Sequence, residues 1–467
     1  MRPPLKRSQG PAATTAAASI ADAGLRARRI ALEILLEVEQ RNGYADALLG
    51  ARIVALGMSD RRLVTRIVLG TLAWRGRLDY ELAKITGRDL AEIQPEALEI
   101  MRMALSQLRF LDRIPPHAVV STAVELAKRN ARSRVAAGFV NAVIRRAARE
   151  NLPLPERRSD PARYLSIAYS HPRWLVERFC EWFGAEDAER LMAANNEAAA
   201  NVIRLNLARG SRAGIIERLA NDGFQIRGGS RVPETIVLDG AARFDSESYR
   251  AGLFVAQSEA SQLVARMLAP RAGAIIVDLA AAPGGKATHL AELAGPDARL
   301  IAADRNHAGL RSARDLARRL RHRNLEFVRA DSSAALPFRP ACSDYVLVDA
   351  PCTGLGTLRE HPEIRWRVRP DDPARMAKVQ SRMLANAARI IRPRGVIVYS
   401  VCSLAPDEGE QVVRKFLSTH AQFEIDRAPS IRTEAPDLFD AEGFMHTRPD
   451  RGGLDGFFAV RIVKKPT

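Results

Sequence analysis

Two short stretches carry residue types that packing alone rarely asks for. In residues 345–356, YVLVDAPCTGLG, an apolar, β-branched run ends abruptly in Asp349-Ala350-Pro351-Cys352 and a glycine-rich turn. Proline stops a strand ladder and holds φ, so a carboxylate and a thiol three residues apart are presented at a strand's end. In residues 399–403, YSVCS, a second apolar run ends in a second thiol, Cys402. A thiol can be a nucleophile or half of a redox pair, and a nearby carboxylate can hold or move a proton. The plain alternative is a capped strand with a small buried cysteine.

A third stretch suits a ligand. The run AIIVD passes into Leu279-Ala280-Ala281-Ala282-Pro283-Gly284-Gly285-Lys286 and then a helical pattern, ATHLAELA. This is neither the dinucleotide fingerprint GxGxxG nor the phosphate loop GxxxxGK[ST]. Small residues and paired glycines let backbone approach a ligand closely, and a helix N-terminus favours a negative group. The next two apolar runs end in Asp304 and Asp331. A carboxylate at the second strand end can take ribose hydroxyls, and Asp331 is then placed for an adenine amino group. This constellation matches S-adenosylmethionine.

The elements that must position these groups follow from periodicity. From Ala272 onward, apolar strands at 274–280, 299–304, 325–331, 345–350 and 395–401 alternate with helices, with weaker strands at 423–428 and 457–463. Near-continuous apolar strands between helices predict a doubly wound, mainly parallel sheet covered on both faces, a Rossmann-like α/β domain. Ligands in such sheets bind beyond the strands' carboxyl ends. Strands four and five are then neighbours, which puts Cys352 and Cys402 side by side facing the cofactor loop.

Upstream, residues 25–146 repeat apolar positions at i, i+3 and i+4, as in RRLVTRIVLGTLAWRGRLDYELAKI, and predict an all-α bundle. The Pro-rich stretch NLPLPERRSD (151–160) reads as a linker, followed by a small α+β module. We therefore expect a disordered tail over 1–24, a helical domain over 25–150, an α+β module over 160–265 and the ligand-binding domain over 266–467.

Composition narrows the partners. The chain has 467 residues, with 71 Lys and Arg against 54 Asp and Glu, a net charge of +17. Such a surplus favours a polyanion, most simply nucleic acid. Ten Lys and Arg against four Asp and Glu between Thr353 and Arg394, with Trp366 among them, read as an RNA-facing surface. A second candidate stripe, RSARDLARRLRHR, holds six Arg. Four scattered cysteines, with no CxxC or Cys/His cluster, indicate neither a disulfide framework nor a metal site and fit a reducing cytoplasm. No apolar run is long enough to span a membrane. The chain is expected to be monomeric.

Cytosine chemistry uses all three unusual groups at once. C5 of cytosine is too weak a nucleophile to attack a methyl sulfonium unaided, whereas a thiolate added at C6 makes an enamine whose C5 can attack. One thiol adds, a carboxyl at the base edge assists, and the second thiol attends elimination, with the base unstacked into the pocket. DLAAAPGGK, DAPCTGLG with REHPEIRWR, and YSVCSLAPDEGE resemble the motifs of Nol/Nop/Sun-type RNA 5-methylcytosine methyltransferases. DRRLVTRIVLGTLAWRGRLD, LRFLDRIPPHAVVSTAVELAK and GFVNAVIRR resemble the NusB-type RNA-binding helical domain, and together the two halves resemble the Sun/Fmu (RsmB) subfamily.

That resemblance implies S-adenosylmethionine as cofactor, methyl transfer to C5 of a cytosine in RNA, and 16S ribosomal RNA as the substrate. It implies that Cys402 is the nucleophile through a covalent Cys–C6 adduct, that Cys352 assists product release, and that Asp349 binds the cytosine edge and borders the cofactor. Contacts to the cofactor fall to Ala280, Ala281, Ala282, Pro283, Gly284, Gly285, Lys286, Asp304 and Asp331. Ala280 and Gly409 depart from the Cys and Asn of many relatives, neither of which the chemistry needs. The alternatives are a tRNA cytosine-C5 methyltransferase and a non-catalytic RNA-binding assembly factor.

Overall fold

The computed structural model describes residues 11–466 apart from Gly229, Ala241 and Ala428. The first ten residues, and with them part of the expected tail, lie outside the described residues. The chain divides into two compact units, one of residues 1–192 with 360–367, the other of residues 193–359 with 368–467. Among the described residues no helix is long and apolar enough to cross a membrane.

The first unit is all-helical. Helices Pro95–Phe110 and Pro116–Arg129 each begin on the proline that the sequence places there, where a missing N–H costs nothing. Their apolar stripes close on those of Pro11–Arg41, Met58–Ala73, Arg75–Thr86 and Ala137–Ala147 around Ile34, Ile67, Leu78, Leu82, Ile100 and Ile144. The long run RRLVTRIVLGTLAWRGRLDYELAKI is divided at Trp74, which leaves the helical region (φ −95°, ψ 9°) and stacks on Phe110 at 4.4 Å.

The second unit takes over at β1. A four-stranded antiparallel sheet has the order β2-β3-β1-β4, from β1 (Asn201–Leu205), β2 (Ile226–Arg227), β3 (Thr235–Leu238) and β4 (Phe254–Ala256). The larger sheet contains β5 (Ile275–Asp278), β6 (Arg299–Asp304), β7 (Leu325–Arg329), β8 (Ser343–Asp349), β9 (Ile391–Val401), β10 (Phe423–Ile425), β11 (Phe444–Thr447) and β12 (Phe457–Lys464). Its order is β10-β12-β9-β8-β5-β6-β7, with β11 pairing β12. The five strands β5 to β9 are parallel, and β12 runs antiparallel to β9, so the sheet is mixed. Helices cover both faces: one core gathers Leu263, Leu290, Leu300 and Leu347, the other Val346, Val348, Leu384 and Val413. That two-sided cover is why β8 and β9 are buried along nearly their whole length.

The expected neighbours are neighbours. β8 and β9 pair in register from Tyr345↔Val396 to Asp349↔Ser400, so the segments after them start level. One expectation changes. Trp366 and its flanking arginines are packed inside the helical unit: Trp366 Nε1 donates to Leu72 O at 2.9 Å, and the buried Arg365 donates to Ala73 O at 3.3 Å and Ser170 O at 3.2 Å. Arg367 donates to Val38 O and Gly43 O. Basic residues beside an aromatic look the same in sequence whether they face RNA or cap helix carbonyls. Here they cap carbonyls.

Candidate active site

The cofactor loop is held by backbone. Beyond β5, Leu279 N donates to Leu347 O (3.0 Å) and Ala281 N to Ala303 O (3.0 Å), pinning the loop to β8 and β6. Ala282 N and Asn306 N donate to the two oxygens of Asp304, at 3.0 and 2.7 Å. Gly284 has φ +111°, and a Cβ there would lie 2.8 Å from Ala313 Cα, so only glycine lets the loop press against the helix His307–Leu320. The helix Gly285–Ala294 starts immediately afterwards. Residues 280–286 thus form one cradle with Asp304 at its edge.

Asp331 follows the edge strand β7 and is exposed. Its Oδ1 accepts from Ser333 Oγ (2.7 Å) and Ser333 N (2.9 Å), which lower its pKa. Ser332 beside it donates to Leu279 O at 2.6 Å, so this turn and the cofactor loop are joined.

One carboxylate was not singled out by its motif. Asp278, at the end of β5, is buried, and burial raises its carboxyl from 3.8 to about 7, with Asp349 and Asp304 adding to the effect. Its Oδ1 accepts from Ala280 N, whereas its Oδ2 has no hydrogen-bond partner among the described residues. A buried acceptor in that state awaits a donor. Asp278, Asp304 and Asp349 against Lys286 leave an excess of acid, which suits a ligand bearing hydroxyls, an amino group and a sulfonium. The residues fit S-adenosylmethionine.

Lys286 reaches back from the first turn of its helix to Asp349, Nζ to Oδ2 at 2.8 Å. Burial works against its charge, but the Asp349 carboxylate outweighs it and, with Cys402 and Asp278, raises the Lys286 pKa. The other oxygen of Asp349 accepts from Ser400 Oγ at 2.7 Å. Asp349 is thereby fixed on both sides.

The two thiols meet. Cys352 Sγ lies 3.2 Å from Cys402 Sγ, and both are free and half-buried. The hydrogen bond with Cys402, burial and the charges of Cys402 and Glu408 raise the Cys352 thiol well above its ordinary pKa. Gly356 N donates to Cys402 O (3.0 Å) and Gly456 N to Gly356 O (2.7 Å), so the glycine-rich turn after Cys352 is strapped to the other thiol's loop. Two further residues emerged only with the fold. Buried Glu408 accepts from the residues that follow both cysteines, Thr353 and Ser403. Arg204 of β1, fully buried, donates to Gly285 O (2.7 Å), Thr288 Oγ1 (3.1 Å) and Glu292 Oε1 (2.9 Å), tying the smaller sheet to the cofactor helix. The one hint in sequence was the repeated Cys-hydroxyl dipeptide, Cys352-Thr353 and Cys402-Ser403.

A pocket with a fixed carboxylate–lysine pair and two touching thiols can polarise a planar heterocycle and add sulfur to it. Comparison with known proteins agrees with that chemistry. The family model of the 16S rRNA methyltransferase RsmB/F matches residues 265–463, that of the NusB family residues 25–149, and that of the RsmF/B-like methyltransferase ferredoxin-like domain residues 171–245. The chain is 32% identical over 447 residues to the probable ribosomal RNA small subunit methyltransferase B of Bacillus subtilis, covering 94% of this chain and 98% of that protein. It is 34% identical over 441 residues to ribosomal RNA small subunit methyltransferase B of Thermus thermophilus, covering 93% and 97%. The solved structure of PH0851 superposes with a TM-score of 0.81 at 28% identity, covering 95% of this chain and 98% of that one.

Proposed function

Because the chain belongs to the RsmB/F family of ribosomal RNA small subunit methyltransferases, we propose that it methylates C5 of a cytosine in 16S ribosomal RNA through a Cys402–C6 adduct. The observation that carries this reading is the 3.2 Å approach of two thiols beside a carboxylate held by lysine. S-adenosylmethionine, when bound, supplies the electrophilic methyl group. Ala280, Ala281, Ala282, Pro283, Gly284, Gly285, Lys286, Asp304 and Asp331 would hold it, with Asp278 contributing an acceptor.

The chain's own residues do the rest. Asp349, immobilised by Lys286 and Ser400, binds the N3/N4 edge of the flipped base. The Cys402 thiolate adds to C6, and the displaced electron pair gives C5 enamine character while N3 is hydrogen-bonded. After C5 is methylated, the C5 proton is lost and the C6–Sγ bond breaks, returning the pair of electrons to Cys402 as a thiolate. Cys352, as a neighbouring S–H donor, stabilises the thiolate both when it attacks and when it leaves.

The test offers purified protein and labelled cofactor to naked 16S ribosomal RNA, assembled small subunits and tRNA. Label at C5 of a 16S cytosine is expected. Label confined to tRNA would reject the substrate, and no label in any RNA would reject the enzyme.

A further inference from the structure

Beside the thiol pair sits a buried carboxylate for which the reaction above has no use. Glu408 is fully buried in the loop between Cys402 and the helix Glu410–Thr419. Its Oε1 accepts from Thr353 N at 2.9 Å and Gln380 Nε2 at 3.1 Å; its Oε2 accepts from Ser403 Oγ at 2.5 Å and from Thr353 Oγ1. Four donors meet the four lone pairs of an ionised carboxylate, which is the condition under which a buried charge is tolerated. Gln380 also donates to Pro351 O at 3.0 Å, and Tyr399 donates its hydroxyl to Glu408 O at 2.5 Å. The residue before Cys352, the residue after it and the residue after Cys402 therefore all lead to one anion.

The charges around the thiols are not symmetric. Glu408 acts electrostatically on Cys352 and disfavours its thiolate, whereas Lys286 and Cys402 act on each other. The other charged or titratable groups facing the pair are accounted for: Asp349 is bound to Lys286 and Ser400, Asp278 lies at the end of β5, and Tyr399 is a neutral phenol bound to Glu408 O. A pair of thiols at 3.2 Å shares one proton when it carries one negative charge, and its neighbours decide where that proton resides.

We propose that Glu408 is the positioning residue of the thiol pair: it binds the two cysteine loops into one unit and, with Lys286 acting on Cys402, keeps the shared proton on Cys352. Cys402 is then the standing thiolate and Cys352 its hydrogen-bond donor. The assignment rests on the reading that Cys402 attacks and Cys352 assists, and it adds what makes two chemically identical groups unequal.

Alkylation by iodoacetamide, followed by peptide mass mapping, tests this without RNA or cofactor, so its failure is separable from failure of the methylation reading. In the native protein Cys402 is modified first, about tenfold or more faster than Cys352 at pH 7, the ratio that one pKa unit supplies. Glu408→Gln brings the two rates to within about threefold of each other, and Glu408→Asp, which keeps the charge, restores the order. Ser403→Ala loosens one tie but keeps the anion, so it lowers turnover and leaves the order unchanged. The proposal is overturned if Glu408→Gln keeps the native order, or if Ser403→Ala erases it as fully. Should Glu408→Gln not fold, Glu408→Asp and Ser403→Ala still decide: loss of order in both marks a merely structural carboxylate. A Cys402→Ala protein that methylates RNA normally would instead remove the premise.

Discussion

Asp349 stands opposite Ser400 in the parallel register of β8 and β9, and Ser400 Oγ donates to Asp349 Oδ1 at 2.7 Å while Lys286 Nζ holds Oδ2 at 2.8 Å. Two neighbouring strands and the cofactor helix thus converge on one carboxylate. Asp349→Asn keeps the shape but leaves Lys286 largely buried without its counter-charge. Methyl transfer is expected to fall by about 10²–10⁴-fold, the range of a lost acid–base group. Ser400→Ala removes one neutral hydrogen bond to the carboxylate and should cost only about tenfold or less. Single-turnover rates at saturating cofactor check both.

The two cysteines are predicted to fail differently. Cys402→Ala abolishes label transfer and forms no adduct. Cys352→Ala removes the donor to the departing thiolate, so covalent protein–RNA adduct accumulates as a shifted band on denaturing gels. Normal turnover by Cys352→Ala without such a band contradicts the division of labour.

Asp278 predicts a pH signature in stability. Its folded-state pKa, about 7, lies above the ordinary 3.8. A raised carboxyl means that the folded state binds the proton more tightly, so stability falls as pH rises from about 4 through 7. Asp278→Asn should abolish that fall, gaining up to roughly 4 kcal/mol relative to the parent at pH 8 and little at pH 4, at 1.4 kcal/mol per unit as an upper bound. Urea unfolding of both proteins at the two pH values measures it. Cofactor affinity should drop in the same variant, since the acceptor becomes an amide.

Arg204 lies in an ion pair with Glu292, which also meets His322 Nε2 at 3.2 Å. Arg204→Ala leaves Glu292 buried and undercompensated, and is expected to cost about 3–5 kcal/mol. Adding Glu292→Gln should recover part of that loss, a coupling that a double-mutant cycle by denaturant unfolding resolves.

Trp366 is predicted to act through stability. Trp366→Ala loses the bond to Leu72 O and the packing over Gly76, whose added Cβ would sit 2.7 Å from the indole. A cost of about 2–4 kcal/mol follows, scaled down from a fully buried tryptophan. An unchanged unfolding midpoint with weakened RNA binding would return Trp366 to the RNA surface.

Much of the site was legible because strand ends are written locally. Continuous apolar runs stopping at Asp278, Asp304, Asp349 and Cys402 identify the sheet, and the doubly wound rule makes the fourth and fifth strands adjacent before any coordinates are known. Glu408 was not legible. In PDEGE it is one acid among three, and only Thr353, 55 residues away, distinguishes it from Asp407 and Glu410. Arg204 was hidden for the same reason, since its partners Gly285 and Glu292 lie 81 and 88 residues on. The break at Trp74 was missed because the apolar period continues through it. The short strands β4 and β11 carry too few residues for alternation to register.

The helical unit is closed by eight residues, 360–367, that follow it by some 170 positions in the chain. On a ribosome adding about 5–20 residues per second, roughly 10–30 s separate the two parts. Throughout that interval the carbonyls of Leu72, Ala73, Val38 and Gly43 lack the side chains that cap them in the finished protein. The first unit to emerge is therefore among the last to be completed, and a gene cut anywhere between the two parts cannot encode it whole.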